Sequence, residues 1–252
     1  MNKASANIRF YKNENGPVIG VTVRPVIEKD GLYFRDLTGD GRLAPYKDWR
    51  NTPAVRAASL AAELSADEKI GMLFVNSWKM GIYQEDRTKV DESGLLNEEI
   101  VEQDESIFNV EKTYGTTYTL KEMGIRHFIL RQNPGPGELA DWINQLNMVA
   151  EGTGHALPVM VLSNSRNEHG EIVFGMNDAA GVFAAWPGTL GIAAAVRGSG
   201  PELIDSFAEC IRREWDAVGM KQGYMYMADV MTDPRWQRSY GTFGEDPGTV
   251  CT

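Results

Sequence analysis

Close to its C-terminus the chain carries Asp233-Pro234-Arg235-Trp236-Gln237-Arg238, followed by Phe243-Gly244-Glu245-Asp246-Pro247. Two guanidinium groups, an indole and several carboxylates at the end of a strand-like run are equipment for holding a polar ligand. Planar N–H forks grip paired oxygens, and aromatic faces stack. Comparable groups follow the other apolar runs. Asn76, Ser77 and Trp78 follow Val75; Arg131, Gln132 and Asn133 follow Leu130; Ser163-Asn164-Ser165-Arg166-Asn167-Glu168-His169 begins after Leu162. In parallel α/β proteins ligands sit beyond the C-terminal ends of the strands. Amides, hydroxyls and guanidinium groups gathered there suit a polyhydroxylated molecule held by hydrogen bonds. The competing explanation is that loops are polar in any protein; saccharide-like binding is placed ahead of it.

Those side chains need strands and helices to position them. Residues 53–70 read as a helical region, with Pro53 in a first-turn position and a second start at Ser65, where Glu68 three residues on completes a capping box. Met72 to Val75 then reads as a short buried strand. Residues 79–120 form the most polar stretch, an excursion from the core that serves as a lid or interaction surface, or else a solvated helical insertion. Beyond it the pattern becomes regular. Ile125–Leu130 and Leu157–Leu162 read as strands, Glu138–Glu151 and Glu202–Val218 as helices with apolar residues at helical spacing, and Tyr224–Val230 as a further strand. A long polar, glycine-rich loop is expected from Leu162 to about Gly188. Near-continuous apolar strands alternating with helices imply a parallel α/β sheet covered on both faces.

Residues 1–52 read as an irregular arm preceding the α/β part at 53–252. Within it, Val18–Val26 is a candidate edge strand weakened by Pro25. Asp36-Leu37-Thr38-Gly39-Asp40-Gly41 has the opening of a calcium loop, with oxygen ligands at alternate positions and glycine at the sharp turn. Its twelfth position is Lys47, where an acid should supply the bidentate ligand, so a plain Asp/Gly turn is the better reading.

Composition excludes several classes. A formal net charge of −10 leaves no basic face for replacing the counterions of a nucleic acid. Hydrophobic residues at 42% of 252 fit a globular domain with a sizeable core. No apolar run approaches the roughly 20 residues of a membrane span. The first residues show no apolar signal-peptide core, so a cytoplasmic location is expected, or a periplasmic or secreted one if the true start lies upstream. Cys210 and Cys251 read as inert thiols, and the histidines are too scattered for a zinc site. No dinucleotide or P-loop glycine pattern is present, so no cofactor is expected.

Four segments, in order, resemble glycoside hydrolase family 3. They are Leu64-Ser65-Ala66-Asp67-Glu68-Lys69-Ile70-Gly71-Met72, Gly124-Ile125-Arg126-His127-Phe128, Trp186-Pro187-Gly188-Thr189-Leu190-Gly191, and the run from Asp229 to Pro247. The resemblance implies a β-glucosidase or exo-β-glucanase acting with retention on terminal β-linked sugars. The expected fold is an incomplete (β/α)8 TIM-like barrel, about its first half. By the same resemblance Arg238 grips hydroxyls of the sugar beside the scissile bond, unless it pairs with Glu245 or Asp246. Asn164 stands where the family has an aspartate for the sugar's far hydroxyls, and Arg166, Asn167 and His169 share that work. Gln237 replaces a glycine of the motif, which narrows the space beside Arg238. The family's nucleophile and acid/base come from later segments, so no catalytic residue and no metal ligand is assigned. The remaining C-terminal part of the enzyme and a β-linked oligosaccharide or glucoside are the expected partners. The alternative is a non-catalytic carbohydrate-binding or regulatory protein.

Overall fold

The computed structural model describes residues 8–102, 113–130, 132, 134–163, 167, 183–224 and 226–252. The chain divides into two compact units, one comprising Met1–Asn76, Met80–His127 and Asp141–Val159, the other Ser77–Lys79, Phe128–Ala140 and Met160–Thr252.

The first unit opens with two antiparallel hairpins: β1 (Arg9–Tyr11) pairs β2 (Ile19–Val21), and β3 (Val26–Lys29) pairs β4 (Leu32–Arg35). Asp30-Gly31 joins the second pair with both φ angles positive, at 55° and 74°. Such a two-residue turn matches the twist of the flanking strands. The arm is therefore more regular than its sequence suggests, and Val18–Val26 is not one strand. Pro25 has no N–H to donate and falls between β2 and β3. Apolar residues point inward from each hairpin, with Val21 and Phe34 fully buried, and Phe34 stacks on Trp49 at 5.6 Å.

Glu151 fastens this arm. Its carboxylate accepts the backbone N–H groups of Thr22, Val23 and Arg24, while the Arg24 guanidinium donates to the carbonyls of Glu151, Thr38 and Gly154. Helices α1 (Pro53–Glu63) and α2 (Ala66–Gly71) follow. Ser65 caps α2 with the full reciprocal box: its hydroxyl accepts the Glu68 N–H, and the Glu68 carboxylate accepts the Ser65 N–H. A side chain at Gly71 would meet the Met123 carbonyl at 2.3 Å, so only glycine fits there.

Met72–Val75 is not the strand its apolar run suggests. The N–H groups of Met72, Leu73 and Phe74 still donate back into the end of α2, and Leu73 is 82% exposed. The strand β5 comes later, at Val75–Trp78. In the polar stretch after it, Met80, Leu95 and Leu96 are buried, and Asp91 holds the turn by accepting the N–H groups of Leu95 and Leu96. The described parts of 79–120 thus add to the core of the first unit. Helix α3 (Thr116–Lys121) ends the stretch, with the Glu98 carboxylate accepting the Thr117 N–H and hydroxyl at its start.

A four-stranded sheet runs in the order β5, β6 (His127–Leu130), β7 (Met160–Ser163), β8 (Gln222–Gly223). β7 and β8 are parallel, with Leu162 opposite Gln222 and Ser163 opposite Gly223. Helix α4 (Pro136–Glu151) lies in sequence between β6 and β7, and α5 (Thr189–Ser199) and α6 (Glu202–Val218) between β7 and β8. Phe128, Ile129, Leu130, Val161 and Leu162 are buried, as strands covered on both faces must be. α4 buries Leu139, Trp142, Ile143 and Leu146; α6 buries Phe207, Ile211, Trp215 and Val218. Gly219, at φ 92°, ends α6, and the Met220 N–H returns to the Trp215 carbonyl. The architecture is α/β with a parallel sheet, and among the described residues the sheet does not close. Among them, too, no helix is long and apolar enough to cross a membrane.

Candidate functional site

The tips of β7 and β8 lie side by side. Beyond the ladder the Tyr224 N–H donates to the Ser163 carbonyl at 2.9 Å. The extended run ends there, because Tyr226 adopts a left-handed conformation at φ 62°. A bulky residue in that region is strained and persists only where its surroundings hold it. Here an aromatic series does so: Trp186 on Phe207 at 5.1 Å, Phe207 on Tyr226 at 5.8 Å, and Tyr226 on Phe243 at 5.8 Å. The strand β8 thus lies at Gln222–Gly223, just before the expected Tyr224–Val230, whose residues turn out of the ladder. Beside the series lies an open, apolar cavity of about 460 Å³, lined by Ile204, Phe207, Ile211, Trp215, Tyr226 and Phe243.

The segment 233–246 is a chain of tight turns. Asp233 accepts the Arg235 backbone N–H and both arms of its guanidinium, and the pair stands in solvent. Asp246 caps the short helix α7 (Pro247–Val250) by accepting the Thr249 N–H, and it pairs with Arg197 at 2.9 Å. The Arg235 fork holds the Asp233 carboxyl below the usual range, and the Thr249 hydroxyl does the same for Asp246. Both are charged at neutral pH, so neither is suited to donate a proton as a general acid.

Arg238 differs from its neighbours. It is half-buried, and its Nη2 lies 3.7 Å from the Met227 thioether. Its Nε is buried, with no hydrogen-bond partner among the described residues. Among the described residues no carboxylate pairs with it. The alternative of an ion pair with Glu245 or Asp246 is therefore not what the structure has; Asp246 is taken by Arg197 and Thr249.

Asn164, Arg166 and His169 lie outside the described residues. Asn167 is described, and it corrects the expectation that it shares in ligand binding. It is fully buried, its amide nitrogen donates to the Ala184 carbonyl and to Glu214 Oε2, and its amide oxygen accepts the Trp215 indole N–H. Both amide N–H groups and the amide oxygen of that side chain are engaged inside the protein. Glu214 closes the knot by accepting the Ala184 N–H at 2.9 Å. The residues flanking 168–182 are thus tied together by one acid on α6. Sequence reasoning missed Glu214; the available signal was a carboxylate next to Trp215 on the buried face of an amphipathic helix.

The chain matches no family model. It is 34% identical over 224 residues, 88% of its length, to a periplasmic β-glucosidase/β-xylosidase of Dickeya chrysanthemi. It is 30% identical over 202 residues to a probable β-glucosidase C of Aspergillus oryzae. It spans 31% and 28% of these relatives, about three tenths of their length. Among solved structures, a β-glucosidase of Erythrobacter marinus superposes with a TM-score of 0.54 over 82% of this chain and 23% of that one, at 21% identity, which marks a shared fold. By sequence, this chain is a relative of the β-glucosidase type of glycoside hydrolase.

Proposed function

We propose that the chain supplies the sugar-holding part of a retaining β-glycosidase of family 3 type, acting on terminal β-linked glucosides or related oligosaccharides. The observation that carries this reading is Arg238. A half-buried guanidinium with no carboxylate partner among the described residues keeps N–H groups for something else, and paired sugar hydroxyls match its fork. Asn164, Arg166 and His169 share the grip on the same sugar. The reacting groups are placed elsewhere. Retention needs two carboxyl groups roughly 5–5.5 Å apart, one of them protonated. Asp233 and Asp246 are instead bound to cations and helix N–H groups. In this reading the nucleophile and the acid/base come from polypeptide other than these 252 residues, consistent with the chain's three-tenths share of its relatives.

Two measurements on the 252-residue chain test the division of labour. Titration with cellobiose should show saturable binding, and an aryl β-glucoside should not be hydrolysed. Robust hydrolysis would contradict the assignment of the reacting groups elsewhere. Failure to bind glucose, xylose or cellobiose would contradict the saccharide reading itself.

A further inference from the structure

The loop Asp36–Gly41 has the first half of a calcium-binding pattern, with Asp36, Thr38 and Asp40 at its first, third and fifth positions and Gly41 at its sixth. In such loops the twelfth residue is an acid that clasps the ion with both oxygens. Here the twelfth residue is Lys47, and its side chain folds back into the loop. The ammonium nitrogen lies 2.7 Å from Asp36 Oδ1, 2.6 Å from Thr38 Oγ1 and 2.5 Å from Asp40 Oδ1. An ammonium has three N–H groups, and each of these oxygens takes one. Lys47 and Asp36 have side-chain exposures of 0% and 2%, so the pair is withdrawn from water. The rest of the loop is shaped around it. Gly39 and Gly41, at φ 75° and 70°, turn their N–H groups onto the two Asp36 oxygens at 3.0 and 2.7 Å.

We infer that Lys47 is the built-in cation of a calcium-type loop, its ammonium standing where a divalent ion would sit among the oxygens of the first, third and fifth positions. The charge balance agrees. Two carboxylates around one ammonium leave one net negative charge, and three carboxylates around a divalent ion leave the same. The chemistry of the twelfth residue thus decides which cation the loop takes. With lysine there, the loop holds its shape without metal, and with it the seat of Trp49 against the β3–β4 hairpin.

Three proteins, each melted in excess EDTA and in millimolar calcium, test this. The natural chain should melt at the same temperature in both. Lys47→Met should melt lower by roughly 10 °C, since removing one partner of a buried pair strands the other, and calcium should restore none of the loss. Lys47→Glu should be unstable in EDTA and recover in calcium, with one ion bound per chain by calorimetry. A calcium-dependent rise in the natural protein would overturn the inference. So would a Lys47→Met protein that melts like the natural one, or a folded Lys47→Glu protein that binds no calcium. Should Lys47→Glu fail to fold in either buffer, the natural chain and Lys47→Met still decide the matter.

Discussion

Two cations in this molecule have opposite surroundings. The Lys47 ammonium is buried and meets three oxygens of its own loop, so that each N–H has an acceptor. The Arg238 guanidinium is half-buried and meets a thioether, with its Nε unsatisfied and no carboxylate among the described residues. The first arrangement is what stability asks for, because a withdrawn charge is tolerable only when it is paired and hydrogen-bonded. The second leaves a cost uncompensated in the protein by itself, and such costs collect where a ligand completes the bonding. The difference teaches how to read a basic side chain: the question is how many of its donors the fold has already used.

Substitutions can break that comparison from either side. The largest stability loss is expected for Lys47→Met, about 3–5 kcal/mol, read as a fall in the denaturation midpoint. Its pH dependence sharpens the point. Burial pushes the Asp36 carboxyl up, but the bond from Lys47 and the N–H groups of Gly41 and Gly39 outweigh it, and the net shift is downward. A carboxyl depressed in the folded state contributes stability above its ordinary range, near pH 4, and loses it as pH falls through the folded value. Burial pulls the Lys47 ammonium down, but its bonds to Asp36 and Asp40 together outweigh it and the net shift is upward, so its contribution is lost only as pH rises through its folded value. The gap between the natural protein and Lys47→Met should therefore be flat from about pH 5 to 9 and narrow below about pH 4. A gap independent of pH down to 2 would separate Lys47 from the carboxylates.

Glu214→Ala comes next. It leaves one Asn167 amide N–H and the Ala184 N–H without their Glu214 acceptors, which costs about 1–3 kcal/mol. The loss should be read as a lower denaturation midpoint, and an unchanged midpoint would mean that the knot contributes nothing to stability. At the small end, Arg235→Ala should leave the melting temperature unchanged, since its pair with Asp233 is exposed. A clear loss there would show that the arginine nearest Arg238 in sequence is structural in a way its geometry does not reveal.

The legible parts of the sequence were those in which one physical rule dominates. α4 and α6 announce themselves by helical spacing of Leu139, Trp142, Ile143 and Leu146 and of Phe207, Ile211 and Trp215, and the box of Ser65 and Glu68 marks the start of α2. Strand positions were less legible. The run Met72–Val75 has the right residues, but the end of α2 claims the N–H groups of the first three, and only Val75 enters a strand. α5 escaped notice because Ala193, Ala194, Ala195, Gly191 and Gly198 leave little periodic contrast. The hairpin turn at Asp30-Gly31 was a readable signal passed over among the arm's charges. Lys47 was visible as a departure from a pattern; only the geometry shows that it replaces the ion the pattern serves. Of the candidate site, Arg238 was reached through a motif, whereas Glu214 required knowing what lies opposite α6.

The account stands most directly on one comparison of affinities: cellobiose titrated calorimetrically into the natural chain and into Arg238→Ala. Losing a charged hydrogen-bond donor to the sugar should weaken binding roughly ten- to a hundredfold, with the melting temperature retained because Arg238 has only a thioether contact and no carboxylate partner among the described residues. Equal affinities for the two proteins, or an Arg238→Ala chain that no longer folds, would contradict the view that this guanidinium is kept for the ligand.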